Sequence, residues 1–407
     1  MISRVRALFQ TDEGVDRNIK LYLLTMLLVS IGFGVIEADF NLYILSMNMS
    51  PDFLGVILSL TPFAQVLAAI PIGFLAEKIG SKRSLILVNL VVGFSYLLRV
   101  SFPNQTLILL GSFILGTVRT GYFIIQMPFI GQYAGKQKDK EYSFASITIY
   151  SSAAIGNLIG GFLPVLLASL FINETLTYRM ILVCASLLIV LGTTPLFFLE
   201  KDKPADTRKI SLSPYLKGID KNTVKFASIE FFLGTGFGFL MFFMNIIFVY
   251  YYNSSLQAYG VMSAVLIIPT VILLLAGPSL AKKYNGLRII IISRILASVF
   301  ALFTIITTNP LIGASAYIIF RSLIGVGTSL WLSFASTVAT KRSRTATSAW
   351  LEITFQVGFI IAALGGGHLI ARGAYPALGI ISAASMLIAY LLTHLFFGKK
   401  YLSSSPE

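Results

Sequence analysis

The chain has 407 residues, of which 56% are hydrophobic and only 12% charged, and its mean hydropathy is +0.83. No soluble fold of that length hides so much apolar surface, so lipid is its solvent. The net charge of +14 invites a nucleic-acid reading that its distribution refutes, and a single cysteine, Cys184, excludes a disulfide framework or a thiolate metal site.

In chain order, the first 19 residues carry charges of both signs and lack the apolar core of a signal peptide. Twelve spans then follow, over about 21–46, 52–76, 84–103, 106–131, 144–171, 179–199, 224–252, 257–281, 288–307, 311–338, 346–370 and 375–397. Each reaches the roughly 20 residues that a helix needs to cross about 30 Å of hydrocarbon. The N-terminus, the loops after spans 2, 4, 6, 8 and 10 with the span-end residues Lys225 and Arg288, and the C-terminus hold 25 of the 31 Lys and Arg. The other loops hold two, Arg179 and Arg372. That split places both termini in the cytoplasm of a bacterial inner membrane and turns the basic excess into an orientation signal, so no nucleic acid is expected as a partner.

Spans 1 and 7 open a repeat. Gly32-Phe33-Gly34 with Asn41 returns as Gly236-Phe237-Gly238 with Asn245, and Gly55, Gly73, Gly121 and Gly160-Gly161 return as Gly260, Gly277, Gly325 and Gly365-Gly366. A register held across six hydrophobic segments predicts a duplicated six-span unit. Six is even, so both copies enter the membrane in one orientation. The expected fold is therefore an all-α membrane protein of twelve transmembrane helices. Its two six-helix lobes are related by a pseudo-twofold along the membrane normal, with a cleft between them. Residues 1–199 form the first lobe, 200–222 a cytoplasmic linker, and 223–407 the second lobe.

The loop after span 2 reads Gly73-Phe-Leu-Ala-Glu77-Lys78-Ile-Gly80-Ser-Lys82-Arg83. It resembles the signature of the major facilitator superfamily, with Glu77 where that family usually has Asp. The second half keeps a worn copy from Gly277 to Gly286 in which Lys282 replaces the acid. The resemblance implies a secondary transporter, and it implies that Gly73, Glu77, Lys78, Gly80, Lys82 and Arg83 help to latch a cytoplasmic gate. Gly156-Asn157-Leu-Ile-Gly160-Gly161 is similar to the family's antiporter pattern, with Asn157 in place of Pro. In span 4 the family's Arg position is taken by Thr117, and Arg119 stands two residues on; the full pattern Arg321-x-x-x-Gly325-x-Gly327 occurs in span 10.

Ionisable groups inside spans are costly, by about 2.5–3.5 kcal/mol near the bilayer centre, and so mark candidate sites. Span 1 carries Glu37, Asp39 and Asn41; Asn245 copies Asn41, whereas Met241 and Phe243 stand where the acids would be. The amides read as architecture common to both lobes, and the acids as an addition peculiar to the first. Arg119 needs a counter-ion, and Glu37 or Asp39 is its natural partner. Gln126, Arg321, Glu352 and Gln356 complete the candidate proton-coupling and substrate-binding set. Arg99 and Arg294 read as snorkelling or bridging residues, and Glu230 as paired.

Several motifs have plain explanations. Gly32-Phe33-Gly34 lacks the third Gly of a dinucleotide loop, and His368 and His394 lack metal-site spacing. Four glycosylation-type sequences, at Asn48, Asn104, Asn173 and Asn253, read as polar loop composition. No enzyme is expected, because no nucleophile–base pair can be named; cofactors and metals are expected to be none. The expected partners are a small-molecule substrate, protons and the lipid bilayer, with the protein a monomer. The expected activity is proton-coupled efflux of a hydrophobic or cationic molecule. A carrier of an anionic or amphiphilic solute, or a non-transporting sensor on the same scaffold, are the alternatives.

Overall fold

The computed structural model describes residues 16–133, 138–171, 173–200, 219–340 and 343–402, apart from some side chains within helices. Among these residues every regular element is helical, because a backbone in hydrocarbon must satisfy its own hydrogen bonds. The first six long helices are α1 (Arg17–Ser46), α2 (Pro51–Ile79), α3 (Ser81–Ser101), α4 (Gln105–Tyr133), α5 (Lys138–Leu167) and α6 (Glu174–Leu191). The next six are α7 (Lys221–Met241), α8 (Leu256–Tyr284), α9 (Gly286–Ile306), α10 (Pro310–Val338), α11 (Arg344–Ala371) and α12 (Tyr375–Thr393). Among the described residues, eleven of the segments are long and apolar enough to cross a membrane, and α4, with 29 residues, is the twelfth helix of spanning length. The protein is a multi-pass membrane protein.

The repeat is written into these elements. Helices α2, α3 and α4 have 29, 21 and 29 residues, and so do α8, α9 and α10. Each of the three pairs starts 205 residues apart, at 51 and 256, 81 and 286, and 105 and 310. Local chemistry repeats too. Asn48 and Asn253 both adopt the left-handed conformation, at φ 57° and 49°, which Asn tolerates better than most residues. Asn104 accepts from the Leu107 N–H at 3.2 Å, and its counterpart Asn309 accepts from the Leu311 N–H at 2.9 Å. Asn173 caps α6 in the same way. All four glycosylation-type asparagines thus have work in turns and N-caps.

The helices fall into two compact units, residues 1–37 with 67–208, and residues 38–66 with 209–407. Helices α1 and α2 are therefore shared: α1 leaves the first unit after Glu37, and α2 rejoins it at Leu67. In the first unit α3 packs on α4 and α6. Gly34 of α1 meets Gly156 of α5 so closely that a Cβ on Gly34 would lie 2.7 Å from the Asn157 N. In the second unit α7 packs chiefly on α11 and α12, and Gly358 of α11 is set against Gly234 and Thr235 of α7 in a contact of the same kind. Small residues at such crossings let backbones approach and maximise van der Waals contact, which drives association where the hydrophobic effect cannot.

Span 7 departs from expectation. It is not one continuous helix: α7 stops at Met241, a turn covers Phe242 and Phe243, and a short helical turn with a π-type coil runs on from Met244 to Tyr251. The two arginines read as snorkelling are buried instead, Arg99 at 4% exposure and Arg294 at 3%. Each finds an aromatic face inside its unit. Arg99 lies 5.4 Å from the Tyr96 ring centre, and Arg294 lies 4.2 Å from that of Trp331 while bonding the Thr393 hydroxyl. Glu230, also buried, supplies the charge opposite Arg294. The bridging half of the expectation holds.

At the start of α7 the Asp220 carboxylate accepts from the Thr223 N–H at 2.7 Å and its hydroxyl at 2.9 Å. Slight burial pushes its carboxyl up, but hydrogen bonds from Thr223, Ser343 and Asn222 outweigh this and hold it below the ordinary carboxylate range. A lowered folded-state value means that the cap's contribution is present above the ordinary value of about 3.9 and is lost as pH falls through the lowered one. Asp220→Ala should cost about 0.5–2 kcal/mol at neutral pH, and that deficit should shrink in thermal melts taken below about pH 4. Gly34→Leu should lower stability more, by about 1–3 kcal/mol or beyond, because backbone stands where its side chain would go; an unchanged melting temperature in detergent would contradict the packing described.

Candidate functional site

Every polar group of span 1 takes a different position. In the first unit, Phe33 sits between Tyr96 and Tyr122, at ring-centre distances of 5.9 and 6.1 Å. The Tyr122 hydroxyl donates to the Asn89 side-chain oxygen, whose amide in turn donates to the Leu85 carbonyl at 2.8 Å. One helical turn beyond Phe33, Glu37 is exposed. Arg119, one turn before Tyr122, is exposed as well and makes no hydrogen bond or ion pair among the described residues. Among the described residues, the expected pairing of Arg119 with Glu37 or Asp39 is not seen as an ion pair. Gln126 is half-buried on the same helix, and Thr117 donates to its own helix at the Ile114 carbonyl, 2.6 Å away.

In the second unit, Asn41 and Asn245 are joined. The Asn41 amide donates to the Phe242 carbonyl at 2.7 Å and to the Asn245 side-chain oxygen at 2.9 Å. Asn245 returns the bond by donating to the Ala38 carbonyl at 2.9 Å, and its oxygen also accepts from the Ile246 N–H. The clasp sits at the break after α7 and satisfies a backbone carbonyl that the break exposes, which is the condition for irregular backbone at membrane depth. Two residues from Asn41, Asp39 has no exposed surface, and neither carboxyl oxygen has a hydrogen-bond partner among the described residues.

The same unit holds the other candidates. The Arg321 guanidinium lies 4.8 Å from the centre of the Phe237 ring, and Arg321 makes no hydrogen bond or ion pair among the described residues. Phe237 is grouped with Phe355 and Phe359 of α11 at 6.4 and 5.9 Å. Gln356 donates to Glu352 at 2.7 Å, as their spacing of one turn suggested, and leaves its own side-chain oxygen without a partner.

Of the loop after span 2, Gly80 has the positive φ of 85° that its tight turn needs, and Lys78 and Arg83 are exposed. Lys82 donates to the Phe197 carbonyl at 2.9 Å and to that of Leu199, tying this loop to the end of the helical segment after α6. The side chains of 73–77, with the positions Gly73 and Glu77, lie outside the described residues.

One cluster escaped the sequence reading. His368 Nδ1 lies 2.9 Å from Asp52, and Arg372 bonds its Nε2. Arginine only donates, so Nε2 is the acceptor and Nδ1 carries the proton given to Asp52. Beneath this bridge α2 and α11 touch backbone to backbone, a Cβ on Gly55 falling 2.7 Å from the Ala363 carbonyl oxygen. Asp52 and His368 are 316 residues apart, and only the i, i+4 spacing of His368 and Arg372 was visible.

Residues 22–222 match the family model described as Major Facilitator Superfamily. Two solved structures share the fold over nearly their whole length. One is the nucleoside transporter NupG in a mutant form, with a TM-score of 0.79 and 14% identity, covering 94% of this chain and 100% of that one. The other is a bacterial homologue of the human lysosomal transporter Spinster, inward-facing and unoccupied, with a TM-score of 0.71 and 16% identity, covering 97% and 100%. No curated protein matches the chain by sequence. The chain therefore has the fold of these two solved structures.

The clasp gives a direct test. Asn41→Ala removes the donor to the Phe242 carbonyl and should cost about 1–3 kcal/mol, with a similar cost for Asn245→Ala. Because the two amides bond each other, the double variant should cost clearly less than the sum. Additive losses in melting experiments would mean that the amides act independently.

Proposed function

We propose that this protein is a secondary active transporter of the major facilitator superfamily that carries a small molecule by alternating access, driven by protons. The observation behind this reading is the contrast within span 1. Glu37 is exposed, whereas Asp39, two residues on, is fully buried and its carboxyl oxygens have no hydrogen-bond donor among the described residues. A charge on Asp39 needs water or a donor that the packed state does not supply. Its protonation is therefore linked to the packing of α1 around the Asn41–Asn245 clasp, and coupling requires such a link. The second copy has Met241 and Phe243 in place of the acids, so the proton path runs through the first repeat alone.

Two solute classes suit the site. The exposed Glu37 and abundant aromatic side chains favour a hydrophobic or cationic solute, moved outward in exchange for protons. Arg119 and Arg321 favour an anionic or amphiphilic solute, and this second reading is the one we adopt. Each arginine lies well inside its helix, about 17–21 Å from the start at 1.5 Å per residue, and forms no ion pair among the described residues. A charge at that depth needs water or a counter-ion, and an anionic solute supplies one.

Proteoliposomes with an imposed pH gradient provide the test. Asp39→Asn should abolish gradient-driven uptake while leaving solute binding within about threefold, a shift below 1 kcal/mol. Arg119→Gln should instead weaken binding by tenfold or more, about 1.4 kcal/mol. Normal uptake by both Asp39→Asn and Glu37→Gln would end the proton-coupling reading.

A further inference from the structure

Resting on the anionic reading above, we propose that Arg321 and the Phe237–Phe355–Phe359 group form a stacking subsite for a flat aromatic or heteroaromatic anion. The three rings come from α7 and α11 and are tilted by only 33–41° from one another, with centres 4.7–6.4 Å apart. All three are half-buried, so each keeps open surface, unlike their neighbour Phe320, which is fully buried. Three partly open rings at such small tilts make a shelf onto which a planar solute can slide.

Arg321 gives the shelf its charge selectivity. The guanidinium carbon lies 4.8 Å from the centre of the Phe237 ring, a cation–π contact, and among the described residues its N–H groups have no acceptor. A guanidinium so held presents a pre-organised fork for a carboxylate or similar oxyanion. Farther along α11, Glu352, Phe355, Gln356 and Phe359 lie within about 100° of helical arc, so the polar pair shares the stripe of the rings. Gln356 spends its amide on Glu352 and leaves its oxygen unmatched. That oxygen suits an N–H or O–H on the edge of the solute away from its acid group. Ring stacking, a cationic fork and a hydrogen-bond acceptor together fit an aromatic acid better than a fatty acid, whose flexible chain gains nothing from a flat shelf.

The test is equilibrium binding to the full-length protein in nanodiscs. The probes are 2-naphthoate, decahydro-2-naphthoate of the same charge and skeleton, and the cation 2-naphthylmethylammonium. Naphthoate should bind at least about tenfold more tightly than its saturated counterpart, the scale of one stacking or cation–π contact. Arg321→Gln should abolish naphthoate binding. Arg321→Lys, which keeps the charge but loses the fork, should weaken it about tenfold, and Phe237→Leu should erase the preference for the flat ring. Size-exclusion profiles establish that each variant is folded; if Phe237→Leu fails there, Phe359→Leu replaces it.

Equal binding of the flat and saturated acids overturns the shelf but leaves the anionic reading standing. Preference for the cation overturns both, and so does absence of binding by either acid at millimolar concentration. Unchanged naphthoate affinity in Arg321→Gln removes Arg321 from the site and ends the proposal.

Discussion

In hydrocarbon a peptide group has no water to fall back on, and an unpaired carbonyl or amide costs several kcal/mol. That constraint explains why every regular element described is helical, and it decides what happens where a helix stops. The break after α7 is permitted because Asn41 reaches the Phe242 carbonyl and Asn245 reaches back to the Ala38 carbonyl. Two residues that occupy the same place in the two copies of an ancestral unit have become each other's partner. Duplication supplied matching amides, and the fold used the match.

Against this shared frame the differences between the copies carry the chemistry. Helices α2 to α4 and α8 to α10 agree in length and starting register, and turn or cap residues correspond at Asn48 and Asn253, Ser50 and Ser255, and Asn104 and Asn309. What is not shared is the pair of acids in α1, the interruption after α7 and the aromatic shelf beneath Arg321. On the function proposed above, each would have to accommodate a solute, a proton or a moving helix. The buried Arg99 and Arg294 show the contrary case: charges at depth that are already answered by a ring and a neighbouring helix, and so read as framework.

Much of the architecture was legible because hydropathy and a register of 204–205 residues act at long wavelength and survive sequence drift. The helix starts and the shared amides of span 1 and span 7 follow from that register. The break after Met241 was not legible, since neither Phe242 nor Phe243 is a residue that interrupts helices by itself. The burial of Arg99 and Arg294 was misread for a related reason: a linear scan sees a charge in an apolar run but not the Tyr96 and Trp331 rings set against it. The bridge of Asp52 with His368 joins distant parts of the chain, and no periodicity announces it. The candidate residues were mostly found, but their states could not be. That Asp39 is buried while Glu37 is exposed follows from the packing around α1, which one-dimensional spacing does not record.

The meeting of α2 and α11 at Gly55 and Gly367 has a mechanical corollary. Side chains between helices act as springs, turning rotamers to follow a neighbour that drifts by a fraction of an ångström. Here bare main chain lies against bare main chain, with the Pro51 carbonyl lodged against Gly367. Nothing in such a joint can stretch, so its attraction fades within the first ångström of separation. Parting of these two helices would be abrupt, more like a snap fastener than a hinge.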